Sequence, residues 1–332
     1  MANVADVLEA TERELLAQTL RRLAEEFDGP HLSKALTDFG FEQVLAEAPR
    51  EAVSTLFDAL GRAGSMSTVF QDVLLQPLTG LLQHTPGAHS VVLPRIGAAL
   101  SGFLEGDAVT VCGLVIGRRA ATALLAPVAI GDETVWVRVT DPLALSIRVV
   151  AGLDPALAIT EVAAERVTAT VVSSGDQAIA LWNAVATVGR LALSYQIVGA
   201  VGAMIDLAVE HACKRMQFGR AIGSFQGVRN RLAEAHVAYS AATAALELAW
   251  EADDEYLAGM LAKSLAGRAA RIAATHCQQV LAGIGFTAEH PFHRYLARAL
   301  VLDSVLGSTN ELHRAIGQQL VSAGSIPRLV EL

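Results

Sequence analysis

The hydrophobic period changes twice along this chain, and that double switch limits the folds open to it. Up to about residue 105, apolar residues recur at i, i+3 and i+4, the period of helices with one buried face. Val4–Glu26 shows it, with acids early, as do Glu51–Gly61, Ser67–Leu82 and Val91–Phe103. Asp28-Gly29-Pro30, Pro77 and Pro86 punctuate this stretch. From Gly106-Asp107 the runs VTVCGLVIG, ATALLAPVAI, TVWVRV, LSIRVV and VTATVV are short, rich in Val, Ile and Thr, and separated by Gly, Asp or Pro. They read as strands. From Asp176 the helical period returns, with long helices expected over 177–216, 227–250 and 254–282 and shorter ones over 294–306 and 310–321. The pattern predicts an α+β, mainly α chain: an N-terminal helical domain (1–105), a short β-sheet domain (106–173) and a C-terminal four-helix bundle (174–332).

The same order excludes several functions. Helices, strands and then helices is not the β-α-β alternation of a nucleotide-binding parallel sheet, and neither GxGxxG nor GxxxxGK[ST] occurs. A net charge of −9 argues against nucleic-acid binding, although a few local arginines suffice for a small anion. With 52% hydrophobic and 18% charged residues, the 332-residue chain can bury a sizeable core. Three scattered cysteines, Cys112, Cys213 and Cys277, offer neither a zinc spacing nor a disulfide framework, so no metal is expected. Reduced thiols and an acidic N-terminus point to the cytoplasm. The apolar stretch Leu191–Ala208 is interrupted by Ser194, Gln196 and Asp206 and runs into HACKR, so a buried bundle helix is expected there and not a membrane span.

Two breaks in the bundle carry a family resemblance. KRMQFGRAIGSFQGVRNRLAEA (214–235) resembles the R-x-x-FG-x-x-I-x-x-FQ-x-V-x-x-x-LA pattern of acyl-CoA dehydrogenases, and CQQVLAGIGFTAEHPFHRYLARAL (277–300) resembles their Q-x-x-GG-x-GF-x-x-E-x-P segment. The helix–sheet–bundle order is also theirs, so the resemblance spans essentially the whole chain. It implies FAD bound largely across a subunit interface. Arg215 would pair with the FAD diphosphate, Phe218 would pack beside the cofactor, and Gln226 falls in the FQ element. Gln279 and Gly283 would meet the adenosine part. A guanidinium suits a diphosphate and glycine permits close backbone approach. Taken alone, Arg215 could equally cap the C-terminal end of its helix.

The family's reaction is α,β-desaturation of an acyl-CoA thioester, in which a carboxylate takes the α-proton while hydride passes to the flavin. The resemblance locates that base at either of two positions. One lies in VLGSTNELHR (305–314), where Leu306 or Gly307 stands, depending on the alignment. The other lies on the first long bundle helix before Arg190, where Gly189 stands. Neither offers a titratable group, so no catalytic residue is expected. Glu311 reads as a helix N-terminal carboxylate facing away from a flavin, and Thr309-Asn310 as a helix start that also allows cofactor contact. The sequence lacks the T-E-P-x-x-GSD-like and W-I-T/S-N-like strands that hold the flavin ring and part of the acyl-CoA, and Trp136 lies outside such a motif. The chain is therefore similar to the non-catalytic subunit of heterotetrameric acyl-CoA dehydrogenases known mainly from actinobacterial steroid degradation. That implies an α2β2 complex in which a catalytic partner binds most of the acyl-CoA. Two alternatives are an active homomeric enzyme with an atypical base, Glu311 or an N-terminal acid, and a cofactor-free structural paralogue.

Overall fold

A computed structural model describes residues 9–82, 87–117, 121–141 and 145–324. Pro86 and the first residues of the expected Val4–Glu26 helix lie outside them. In chain order the helices begin with α1 (Ala10–Glu26), α2 (Gly29–Phe39), α3 (Phe41–Glu47), α4 (Pro49–Ala63), α5 (Val69–Leu75) and α6 (Thr79–Leu82). Strands follow: β1 (His89–Val91), β2 (Leu93–Pro94), β3 (Gly102–Glu105), β4 (Ala108–Val115), β5 (Ala123–Ile130), β6 (Glu133–Val139), β7 (Ser146–Val149), β8 (Thr160–Thr168) and β9 (Thr170–Ser173). The C-terminal part contains α7 (Gly175–Lys214), the hairpin β10 (Met216–Gln217) and β11 (Arg220–Ala221), α8 (Gln226–Ala249), α9 (Glu255–Leu281), α10 (Phe292–Ser304) and α11 (Thr309–Ala323). The chain is mainly helical with a central β region and C-terminal helices, the α+β class that the period predicts.

These elements pack into two compact units. One holds the chain up to Ser65, Arg190–Ser304 and the chain from Ser308. Its helices meet closely where glycine allows. A Cβ on Gly61 of α4 would lie 2.2 Å from the Gln196 carbonyl oxygen of α7, and one on Gly199 would lie 2.3 Å from that of Asp58. Only hydrogen side chains fit such a crossing. Asp28, expected to end a helix, also starts one: its carboxylate accepts the Gly29 N–H at 2.8 Å and Pro30 follows in the first turn. The α2 and α3 helices that result were missed, because a breaker and a cap are written with the same residues.

The second unit holds Met66–Gly189 and Val305–Gly307. Its sheet runs β7-β8-β4-β3-β5-β6-β9, with β1 beside β5 and β2 beside β4. Alternate residues of β4, β5, β6 and β8 point to one apolar core, including Val109, Val111, Leu124, Ala126, Val135, Val137 and Val162. The helix expected over Val91–Phe103 does not form, and the sheet begins at His89 instead of near 106. Non-local bonds decide this. The buried Gln71 side chain of α5 accepts the Val91 N–H at 2.8 Å and donates to the Ile116 carbonyl at 3.1 Å. Gly102 lies so close to β4 that a Cβ would sit 2.0 Å from the Thr110 oxygen. No local period encodes such contacts. By length and composition α7 could cross a membrane, but 78% of its most apolar window is buried within the protein.

Candidate functional site

The hairpin after α7 gathers the first set of expected cofactor residues. Arg215 ends the helix, its N–H bonded to the His211 carbonyl at 2.8 Å while its own carbonyl accepts the Ile222 N–H at 2.8 Å. Those backbone bonds fix the hairpin and leave the Arg215 side chain exposed. Phe218 and Gly219 form the two-residue tip with φ of +53° and +76°. The left-handed conformation, easy for Gly, is unusual for Phe and puts an aromatic ring in solvent, 90% exposed. Its ring meets Phe225 edge-on at 6.1 Å, and the Arg220 guanidinium lies 4.2 Å from the other ring's centre. Phe225 is the N-cap residue of α8, so Gln226 opens that helix and is exposed.

The second set lies where α9 ends. Gln279 is exposed in its last turn, and Gly283 follows a sharp bend at Ala282, whose φ is +52°. A Cβ on Gly283 would meet nothing within 4 Å. Gln278, Gln279, Gly283 and the exposed Phe286 line an open depression of about 430 Å³. Burial first, then Arg215 and His290, hold the His211 imidazole below its usual pKa, so the hairpin and the loop after α9 flank one histidine. An exposed guanidinium, an exposed aromatic ring and an unobstructed glycine match the diphosphate and adenosine parts of FAD. These residues fit that half of the cofactor.

The turn between α10 and α11 contains the rest of the predicted residues and separates them. Thr309, expected near the cofactor, is turned inward. Its hydroxyl donates to Asp303 Oδ1 at 2.7 Å, its N–H reaches the same oxygen at 3.3 Å, and the residue is 4% exposed. Asn310 is exposed. α11 starts at Thr309, as the sequence predicts, with Ser308 as its N-cap in a capping box with Glu311. Glu311 Oε2 accepts the Ser308 N–H at 2.8 Å and its hydroxyl at 2.7 Å. Those two bonds, chiefly the backbone one, hold the Glu311 carboxyl below the usual range. A carboxylate so engaged caps a helix and is a weak proton acceptor.

The two positions where the resemblance seeks a base lie together in the second unit. A Cβ on Gly189 would be 2.7 Å from Leu306 Cδ1 and 2.9 Å from Leu74 Cδ2. No carboxylate stands at either position. Next to Gly189, Arg190 is buried with its guanidinium 4.8 Å from the centre of the Tyr256 ring.

One polar cluster escaped the sequence reading. Lys263 on α9 is fully buried and donates to the Asp303 carbonyl at 2.9 Å, while Arg271 Nη2 meets Asp303 Oδ2 at 3.0 Å. Burial, only partly offset by Asp303, brings the Lys263 ammonium down to about 7. The signal was a lone lysine inside the apolar run GMLAKSLAG, which is easily passed over as surface.

A family model described as acyl-CoA dehydrogenase, C-terminal domain, matches residues 179–321. Acyl-CoA dehydrogenase IpdE2 of Mycobacterium tuberculosis is 27% identical over 327 residues, which cover 93% of this chain and 97% of that protein. The fold is similar to that of the ChsE4-ChsE5 complex from Mycobacterium tuberculosis (TM-score 0.76, 20% identity, 97% of this chain and 100% of that one). It is also similar to a Tcur3481-Tcur3483 steroid ACAD variant (TM-score 0.78, 19% identity, 95% and 98%). Residues 179–321 therefore match an acyl-CoA dehydrogenase C-terminal domain, within a chain that has the acyl-CoA dehydrogenase fold.

Proposed function

We propose that this chain is the non-catalytic subunit of a cytoplasmic, FAD-dependent acyl-CoA dehydrogenase. Its bundle completes the FAD site of a catalytic partner within an α2β2 heterotetramer. The observation that carries the reading is a contrast within one chain. Arg215, Phe218, Gln226, Gln279 and Gly283 are presented to solvent, whereas the base positions hold Gly189, Leu306 and Gly307. An exposed Phe held in a left-handed turn gains from cover by another surface. Arg215 would neutralise the diphosphate, Phe218 would pack against the cofactor, Gln279 and Gly283 would take the adenosine side, and Asn310 would contact the cofactor from the α11 start. Bound FAD supplies the hydride acceptor for desaturation, and the partner supplies the base and most of the acyl-CoA contacts. Glu311 has no part in proton abstraction, because Ser308 engages its carboxylate. A bulky acyl group, such as a steroid side chain, is the substrate class that the steroid ACAD likeness favours.

The test is co-purification with a candidate catalytic subunit, followed by flavin absorbance and acyl-CoA desaturation. The expected result is stoichiometric FAD and turnover in the complex, neither in this chain alone, and loss of most flavin from a complex containing Arg215→Ala. Tight FAD and turnover by this chain alone would overturn the reading.

A further inference from the structure

The turn that carries Leu306 is strained and clamped at both ends. Leu306 has φ +56° and Gly307 φ +101°. A leucine in the left-handed region is strained and persists only where its surroundings over-determine it. Before the turn, Asp303 is held through its carbonyl by Lys263 and through its carboxylate by Arg271 and Thr309. After it, Ser308 is held by Glu311. The three residues between, Val305–Gly307, belong to the unit of Met66–Gly189, although Ser304 and Ser308 on either side belong to the other. There the Leu306 side chain fills the space beside Gly189, next to Leu74, with Phe70 Cζ 3.9 Å from the Cβ site of Gly189.

Two sequence positions that can each supply the base to one substrate carbon should converge in space, and here they do. The volume at the point of convergence is taken up by a branched alkyl group of the chain itself, the side chain closest in character to the methylenes of an acyl group. We propose that Leu306 is an internal occupant of this subunit's own acyl site: it excludes acyl thioesters from this chain and crowds position 189. The proposal rests on reading Gly189 and Leu306 as the family's base positions, and it deepens the non-catalytic assignment. The subunit is sterically closed to substrate as well as chemically inert, so the partner's site is the one that substrate enters.

Two measurements on the full chain test this. The first uses Gly189→Ala in the Leu306 background and in a Leu306→Gly background, chosen because glycine relieves the left-handed φ while opening the space. Gly189→Ala should lower the thermal midpoint by several degrees beside Leu306 and by less than half as much beside the glycine; equal losses would overturn the steric coupling. The second is calorimetric titration with octanoyl-CoA, with CoA alone as the control for head-group binding. The Leu306→Gly protein should bind octanoyl-CoA at least about tenfold more tightly than the unmodified chain, with CoA unchanged. Equal octanoyl-CoA binding by the two proteins, tight or absent, would overturn substrate exclusion. Failure of the partner reading would appear elsewhere, as missing flavin in the co-purified complex.

Discussion

At the residue scale, the polar core of the bundle turns on Asp303, and substitutions in and beside it expose its logic. A Cβ on Gly267 would lie 2.0 Å from Asp303 Oδ1 and 2.2 Å from Thr309 Oγ1. Gly267→Ala should therefore cost about 3 kcal/mol by overpacking, measured as a lower urea midpoint at unchanged m-value. Lys263 titrates near 7 in the fold against 10.5 for a free side chain, so between those values the unfolded chain binds the extra proton. Stability should then rise with pH across that window, and Lys263→Met should flatten the slope in pH-dependent denaturation curves. A slope that survives the substitution would assign it to another group. Glu311 is also shifted downward, but by hydrogen bonds that favour its charged form and not by burial. Its folded pKa is depressed by the Ser308 bonds, so its contribution is present above the unfolded value of 4.5 and is lost as pH falls through the folded one. Glu311→Gln should leave neutral-pH stability less affected than Ser308→Ala, which removes a cap worth about 1 kcal/mol, and should weaken the acid-side decline.

At the element scale, the sequence was most legible where one face of a helix is buried over many turns. The expected spans 227–250 and 254–282 became Gln226–Ala249 and Glu255–Leu281, because long periodic segments carry their own evidence. Short elements were not so legible. Strand β1 is three residues long and exists because β5 and Gln71 satisfy its backbone. The β10–β11 hairpin is two residues on each side, and only the family resemblance drew attention to it. Its tip offers a clean separation of fold from function. Phe218→Gly removes an exposed ring from a left-handed position, so the chain alone should gain about 1 kcal/mol in chemical denaturation. The complex should lose flavin affinity. A variant that loses stability on its own would show that the ring supports the chain's own fold and was not kept for contact with another surface.

At the scale of the whole molecule, a subunit built to complete another's site should be stabilised by it. A partner that binds only the folded chain raises its stability by about 2.7 kcal/mol at a hundredfold excess over the dissociation constant. The thermal midpoint should therefore climb with partner concentration when FAD is present, and Arg215→Ala should blunt the climb; a midpoint independent of partner would refute the assembly. The amino-acid sequence by itself determined the fold class, the long helices, the family resemblance and the absence of a titratable side chain at 189, 306 and 307, because these follow from local period and residue identity. Only the tertiary structure decided that Val91–Phe103 pairs as strands, that Thr309 turns inward to Asp303, and that Gly189 and Leu306 share one volume. Each of those depends on a partner distant in sequence. Space-filling and hydrogen-bond satisfaction are properties of the packed chain, and no local pattern records them.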